Sequence, residues 1–233
     1  MIALDVIEKL QIQIDQFFAS RSDPIILEAG CGSGSYIKMP ADAKVVGIDI
    51  SAEELEKNKV VNEKIVGDIQ HYQHPPKSYD LIICWDVLEH LPDPQAALSR
   101  FDEAIKTGGM ILLAFPNVDS LKAKVAKYTP HWFHIMIYKL IYGEKYGTPG
   151  VITFPTFLKS VLKPAKMEAF ADSHSLQQRF AIQYESGVQK RFRKKFFIGD
   201  RMIGFFDGLI RVLSFKTMTL QDSDCIYLLY KNE

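Results

Sequence analysis

Ile25-Ile26-Leu27-Glu28-Ala29-Gly30-Cys31-Gly32-Ser33-Gly34 is the stretch from which the fold of this chain can be read. Asp23-Pro24 ahead of it is a turn signal, and three apolar residues then make a short strand. Glycines at alternating positions follow. They let a backbone turn sharply and come close to a ligand. A glycine-rich turn directly after the first strand of an open α/β sheet lies where such sheets bind nucleotides. The dinucleotide fingerprint needs a third glycine three residues after the second, and Ser35 stands there instead. No Gly-Lys-Ser/Thr ending follows, so the loop is not a P-loop.

Working outward, residues 44–50 form a second strand that ends in Asp49. A carboxylate there can accept hydrogen bonds from both ribose hydroxyls, whereas its bland role is a solvated turn. Ser51 reads as an N-cap, with Glu53 and Glu54 in the first helical turn. Residues 65–68 make a weak third strand ending in Asp68. Residues 79–84 make an apolar fourth strand, and 96–105 a helix ended by Thr107-Gly108-Gly109. Residues 110–115 make a fifth strand, stopped by Pro116-Asn117. This alternation predicts an α/β fold, a mostly parallel sheet with helices on both faces. An amphipathic helix over 4–18 precedes it. Two helical patches, 121–127 and 132–142, break the rhythm after strand five. Residues 156–172 read as helical, 178–185 and 225–230 as strands six and seven, and 196–215 as one apolar helix.

These pieces together resemble the class I S-adenosylmethionine-dependent methyltransferases, and among them the small-molecule branch with ubiquinone-type O-methyltransferases. The likeness rests on the 28–34 loop, Val46-Gly47-Ile48-Asp49-Ile50-Ser51, Gly67-Asp68, Tyr79-Asp80-Leu81-Ile82-Ile83-Cys84, Val87-Leu88-Glu89-His90-Leu91, Lys106-Thr107-Gly108-Gly109 and Pro116-Asn117. It covers residues 24–117 in order. It implies a Rossmann-like seven-stranded sheet with the last strand antiparallel, and S-adenosylmethionine as cofactor. By the same likeness Glu28, Gly30, Cys31 and Gly32 carry the methionine part of the donor and Asp49 holds the ribose. Ile50 packs on the adenine, Asp68 and Ile69 meet its edge, and Cys84 approaches the donor amino group through its backbone. The helix over 4–18 would close over the donor. Only ten residues separate Gly34 from Val45, and 51–64 is also compact, so both intervening helices are expected to be stunted.

The domain expectation is one methyltransferase domain over 1–233: an N-terminal helix (1–20), a donor-binding core (24–117), a lid insert (118–160) and a C-terminal part (161–233). The reaction expected is methyl transfer to a small, fairly apolar acceptor, most readily at oxygen. The alternatives are transfer to nitrogen or carbon, a donor-binding protein without turnover, and a dehydrogenase, against which Ser35 argues. A hydroxyl acceptor needs a base near neutral pKa, and His90 after strand four is the first candidate. His131 and His134, at helical spacing in the aromatic insert, are the next. They have no third ligand in the sequence, so no metal is expected. The rival role for His90 is structural.

The whole chain has 28 Lys and Arg against 28 Asp and Glu, but unevenly placed. Residues 1–120 hold 10 basic and 19 acidic residues, and residues 121–233 hold 18 and 9. One short basic run, 190–195, is too thin a footprint for nucleic acid. Followed by the apolar helix, it reads either as peripheral contact with an anionic membrane or as a helix buried on the sheet or in a homodimer. No apolar run spans a bilayer, and the N-terminus lacks signal-peptide character, so the expected location is the cytoplasm. Three widely spaced cysteines make no disulfide framework.

Overall fold

The computed structural model describes residues 4–143 and 155–232. Seven strands form one sheet in the order β3-β2-β1-β4-β5-β7-β6. They are β1 (Ile25–Ala29), β2 (Lys44–Asp49), β3 (Glu63–Val66), β4 (Tyr79–Trp85), β5 (Ile105–Pro116), β6 (Leu176–Tyr184) and β7 (Asp224–Lys231). The first five run parallel, and β7 is antiparallel to both β5 and β6. The expected mostly parallel α/β sheet, with its antiparallel last strand, is the architecture observed.

Side chains of successive strand residues point to opposite faces, and both faces are covered. Leu27, Ala29, Ile82 and Cys84 join one core with α3 (Pro94–Ala104) and α6 (Pro164–Ser173). Ile26, Leu81, Ile83 and Trp85 join a second core with α1 (Leu4–Phe18), whose Val6, Leu10, Ile14 and Phe18 are buried. α1 is therefore held on the sheet by its apolar face. It also pins the loop after β1, since the Gln11 side chain exchanges hydrogen bonds with both backbone groups of Lys38.

Three local expectations are corrected. No helix at all lies between β1 and β2, while α2 (Ala52–Lys57) is one short helix capped by Ser51. Thr107-Gly108-Gly109 does not end the helix. α3 stops at Ala104, and those residues lie inside the long β5, where Gly108 has φ +76°. The reason lies in long-range polar contacts. Arg21 donates to the Gly108 carbonyl, and Lys106 pairs with the buried Asp80, which also accepts from the Ile25 N–H. Finally, the basic run is itself helical in α7 (Gly187–Lys195), and the apolar helix α8 is only Asp200–Leu213. The insert after β5 holds α4 (Leu121–Tyr128) and α5 (His131–Tyr142), as the pattern predicted.

Candidate functional site

The loop after β1 is built by β2. Gly30 and Cys31 N–H groups both donate to the Ile48 carbonyl, at 2.7 and 3.2 Å. Gly32 N–H donates to Asp49 Oδ2 at 2.8 Å, and Ser51 N–H to Asp49 Oδ1 at 2.8 Å. From below, the buried Asn58 amide donates to the Cys31 and Gly32 carbonyls. Two of the loop glycines sit at positive φ, Gly30 at +72° and Gly32 at +47°. A Cβ on Gly30 would come within 2.3 Å of Val87 Cγ2, whereas Gly32 and Gly34 face open space. Gly47 leaves the room that the Cys31 side chain fills. Cys31 is buried, and loss of hydration pushes its thiol up to about 12, so it is a filler and no nucleophile.

A cavity of about 370 Å³ opens on this loop. Residues 28–36 line one side, and Ile83, Trp85 and Asp86 the other. It lies at the carboxyl ends of β1 and β4, where parallel sheets hold their ligands. Glu28 reaches into it although only 4% exposed. Burial raises its pKa to about 7, partly offset by a hydrogen bond from Ser35. Its second oxygen, Oε2, has no hydrogen-bond partner among the described residues. A buried unpaired carboxylate oxygen is costly, which suits a cavity that takes a cationic or hydrogen-bond-donating group.

The other candidate residues fall at varying distances from this cavity. Asp49 tethers the loop but is not in the cavity wall. Ile50 is 66% exposed just beyond it. Asp68 spends its carboxylate on Gln70 and His71, and Ile69 is buried in the core. Cys84 points into the opposite core, so β4 contributes its neighbours Ile83 and Trp85 to the wall instead. His90 stands in a short 3-10 turn (Leu88–His90). Its Nδ1 lies 2.8 Å from the Pro155 carbonyl oxygen, so Nδ1 carries the proton and Nε2 is the basic nitrogen. Burial lowers its pKa, which keeps the ring neutral. His131 and His134 lie on α5, but their side chains fall outside the described part of the structure.

Several wall and rim residues escaped sequence reading. Tyr36 stacks on Trp85 with ring centroids 5.0 Å apart. Asp86, at φ +54°, is open to water yet ringed by protein. The protein packed around it, and then repulsion from Asp224, raise its carboxylate above the ordinary range. Glu89 is buried, and burial followed by repulsion from Asp86 lifts its pKa well above the carboxylate range. Asp224, at the start of β7, is held by Lys122 at 3.0 Å. A pair Trp-Asp directly after the fourth apolar strand was the available signal for the wall. The Lys122–Asp224 pair, 102 residues apart, left none.

The family model described as a methyltransferase domain matches residues 3–146. A ubiquinone biosynthesis O-methyltransferase of Hydrogenovibrio crunogenus is 30% identical over 125 residues, 49% of this chain. That alignment covers 52% of the relative, so the chain spans about half of its length. Among solved structures, phosphoethanolamine N-methyltransferase 2 of Haemonchus contortus, in complex with S-adenosyl-L-methionine, superposes with TM-score 0.56 at 18% identity. The match covers 97% of this chain and 53% of that one. An S-adenosylmethionine-dependent methyltransferase of Archaeoglobus fulgidus gives 0.56 at 16% identity, over 97% and 94%. At these identities the superpositions establish the fold.

Proposed function

The chain belongs to the family of methyltransferase domains, and from that premise we propose that it moves a methyl group from S-adenosylmethionine to oxygen of a small, fairly apolar acceptor. One observation carries this reading: the unpartnered Glu28 oxygen, buried, at the start of the glycine loop that lines one side of the cavity. The donor's cationic amino group matches that carboxylate in charge and hydrogen-bonding sense. Gly30, Cys31 and Gly32 supply backbone close to it, with Cys84 one residue from the wall on β4. Asp49 keeps further lone pairs for a ribose beyond those given to Gly32 and Ser51. Exposed Ile50 offers an apolar face for adenine, with Asp68 and Ile69 at its edge.

When bound, the donor supplies a methyl group on a positively charged sulfur, which needs no further activation. The chain's work is alignment and proton removal. In well-oriented systems alignment lowers a barrier by roughly 7–11 kcal/mol. His90 is the proposed base, through Nε2, because its ring is held in one tautomer and kept neutral. His131 and His134 remain the alternatives, and α4 and α5 would form the lid over the acceptor, while residues 144–154 of the proposed 118–160 lid lie outside the described part of the structure. Tyr36 and Trp85 give the acceptor side an aromatic wall. The name of the Hydrogenovibrio relative supports oxygen as the methylated atom.

A second reading, transfer to nitrogen, is favoured by the exposed carboxylate of Asp86 on the cavity wall, which suits an amine acceptor. Titration calorimetry with S-adenosylmethionine, followed by mass spectrometry of mixtures with phenolic and amine acceptors, separates the possibilities. Donor binding with a gain of one methyl on a phenol is expected. Methylated amines would select the second reading, and binding without any product a donor-binding role. The Asp49→Ala variant should bind the donor roughly 10–100-fold more weakly, as each hydrogen bond to a charged group contributes about 1.5–3 kcal/mol. Unchanged affinity refutes its ribose assignment.

A further inference from the structure

Helix α8 is built inside out. Its residues Met202, Phe205, Phe206, Leu209, Val212 and Leu213 recur at spacings of three and four and so form one stripe. That stripe faces solvent: Phe205 is 70% exposed, Val212 73% and Leu213 71%. The polar side faces the protein. Asp207 is buried and accepts hydrogen bonds from the Leu220 and Gln221 N–H groups, from Thr219 Oγ1 and from Arg211. Arg211 also holds Asp222 at 2.7 Å. These bonds lock the rotation of the helix, because turning the apolar side inward would strand a buried carboxylate network. Phe197 and Phe215, on the flanks, are 92% and 91% exposed.

Charge identifies what covers this face. Exposed Lys190, Arg191, Lys194 and Lys195 come just before the helix, Arg201 lies on it and Lys216 follows it. The two acids in the same segment are both neutralised, Asp200 by Arg193 and Asp207 by Arg211. A two-fold contact with a second copy would bring this cationic segment against itself. An apolar stripe rimmed by cations suits a bilayer with anionic headgroups. No helix among the described residues is long and apolar enough to cross a membrane, which is consistent with a helix lying in the interface.

We propose that α7 and α8 dock the protein on an anionic lipid surface, with the α8 stripe immersed among the acyl chains and the lysines and arginines on the headgroups. The inference rests on the outward stripe and not on the methyl-transfer reading. The test is co-sedimentation of the full chain with vesicles of phosphatidylcholine, with and without phosphatidylglycerol, at low and high salt. Pelleting only with phosphatidylglycerol is expected, weakened by salt as screening shortens the reach of the charges. Phe205→Ser with Leu209→Ser should abolish it, and so should Lys190→Glu with Lys194→Glu, with unchanged circular dichroism. These positions are exposed, so the fold should survive. Absence of pelleting, or pelleting that the serine variant keeps, overturns the proposal. A concentration-dependent dimer in sedimentation velocity that the serine variant dissociates, without vesicle binding, assigns the face to a second copy instead.

Discussion

Replacing Glu28 by glutamine keeps the shape of the side chain and removes its charge. In the donor-free protein the Glu28 pKa stands near 7 instead of 4.5, with burial as the main cause. At about 1.4 kcal/mol per pH unit, that displacement means ~3 kcal/mol lost once the carboxylate is ionised. The sign follows from proton binding. The folded state binds the proton more tightly than the unfolded chain, so the stabilisation is complete below about pH 4.5 and is lost as pH rises through about 7. Urea unfolding of donor-free protein should therefore show wild type losing up to ~3 kcal/mol between about pH 5 and pH 8, and Glu28→Gln losing less. Donor binding runs the other way. A cationic amino group favours the carboxylate, so at about pH 6 binding must expel a proton, and wild-type affinity should rise roughly tenfold per pH unit until about pH 7. Calorimetry in buffers of different ionisation enthalpy reads that proton directly. Glu28→Gln should release none and bind more weakly above about pH 7. Wild-type affinity in the variant, or the same proton release, would refute the role given to Glu28.

Gly30→Ala combines a left-handed backbone with a clash on Val87. It should cost about 2–5 kcal/mol in denaturant unfolding, while Gly34→Ala, facing open space, should change stability by less than about 0.5 kcal/mol. His90→Gln should lower kcat by roughly 10²–10⁴ with donor affinity unchanged. Because burial lowers the His90 pKa, the acidic limb of the wild-type rate profile should fall below the ordinary histidine range. An unchanged kcat, or a limb that persists in the variant, removes His90 as the base.

The glycine loop and the succession of strands along the chain up to β5 were legible because they rest on local rules. Apolar runs make strands, and glycines allow the positive φ that the turn requires. The missing helix between β1 and β2 was foreshadowed by counting residues, but its complete absence follows from Gln11 and Asn58 holding the loop from distant elements. Thr107-Gly108-Gly109 misled because a glycine past a helix and a glycine in an irregular strand look alike until Arg21 and Asp80 are placed beside them. Among site residues, Glu28, Gly30, Cys31 and Gly32 were both predicted and found on the cavity wall. Trp85, Asp86 and Tyr36 needed the fold, since β4 alternation turns Cys84 away and brings its neighbours in.

Sequence alone settled the kind of fold and the position of the glycine loop, because hydrophobic period and backbone permission are properties of neighbouring residues. It also marked an apolar helix behind the basic run. Which face meets water was decided only in three dimensions. Asp207 and Arg211 find partners in residues 219–222, and those hydrogen bonds fix a rotation that the periodicity of the helix leaves open.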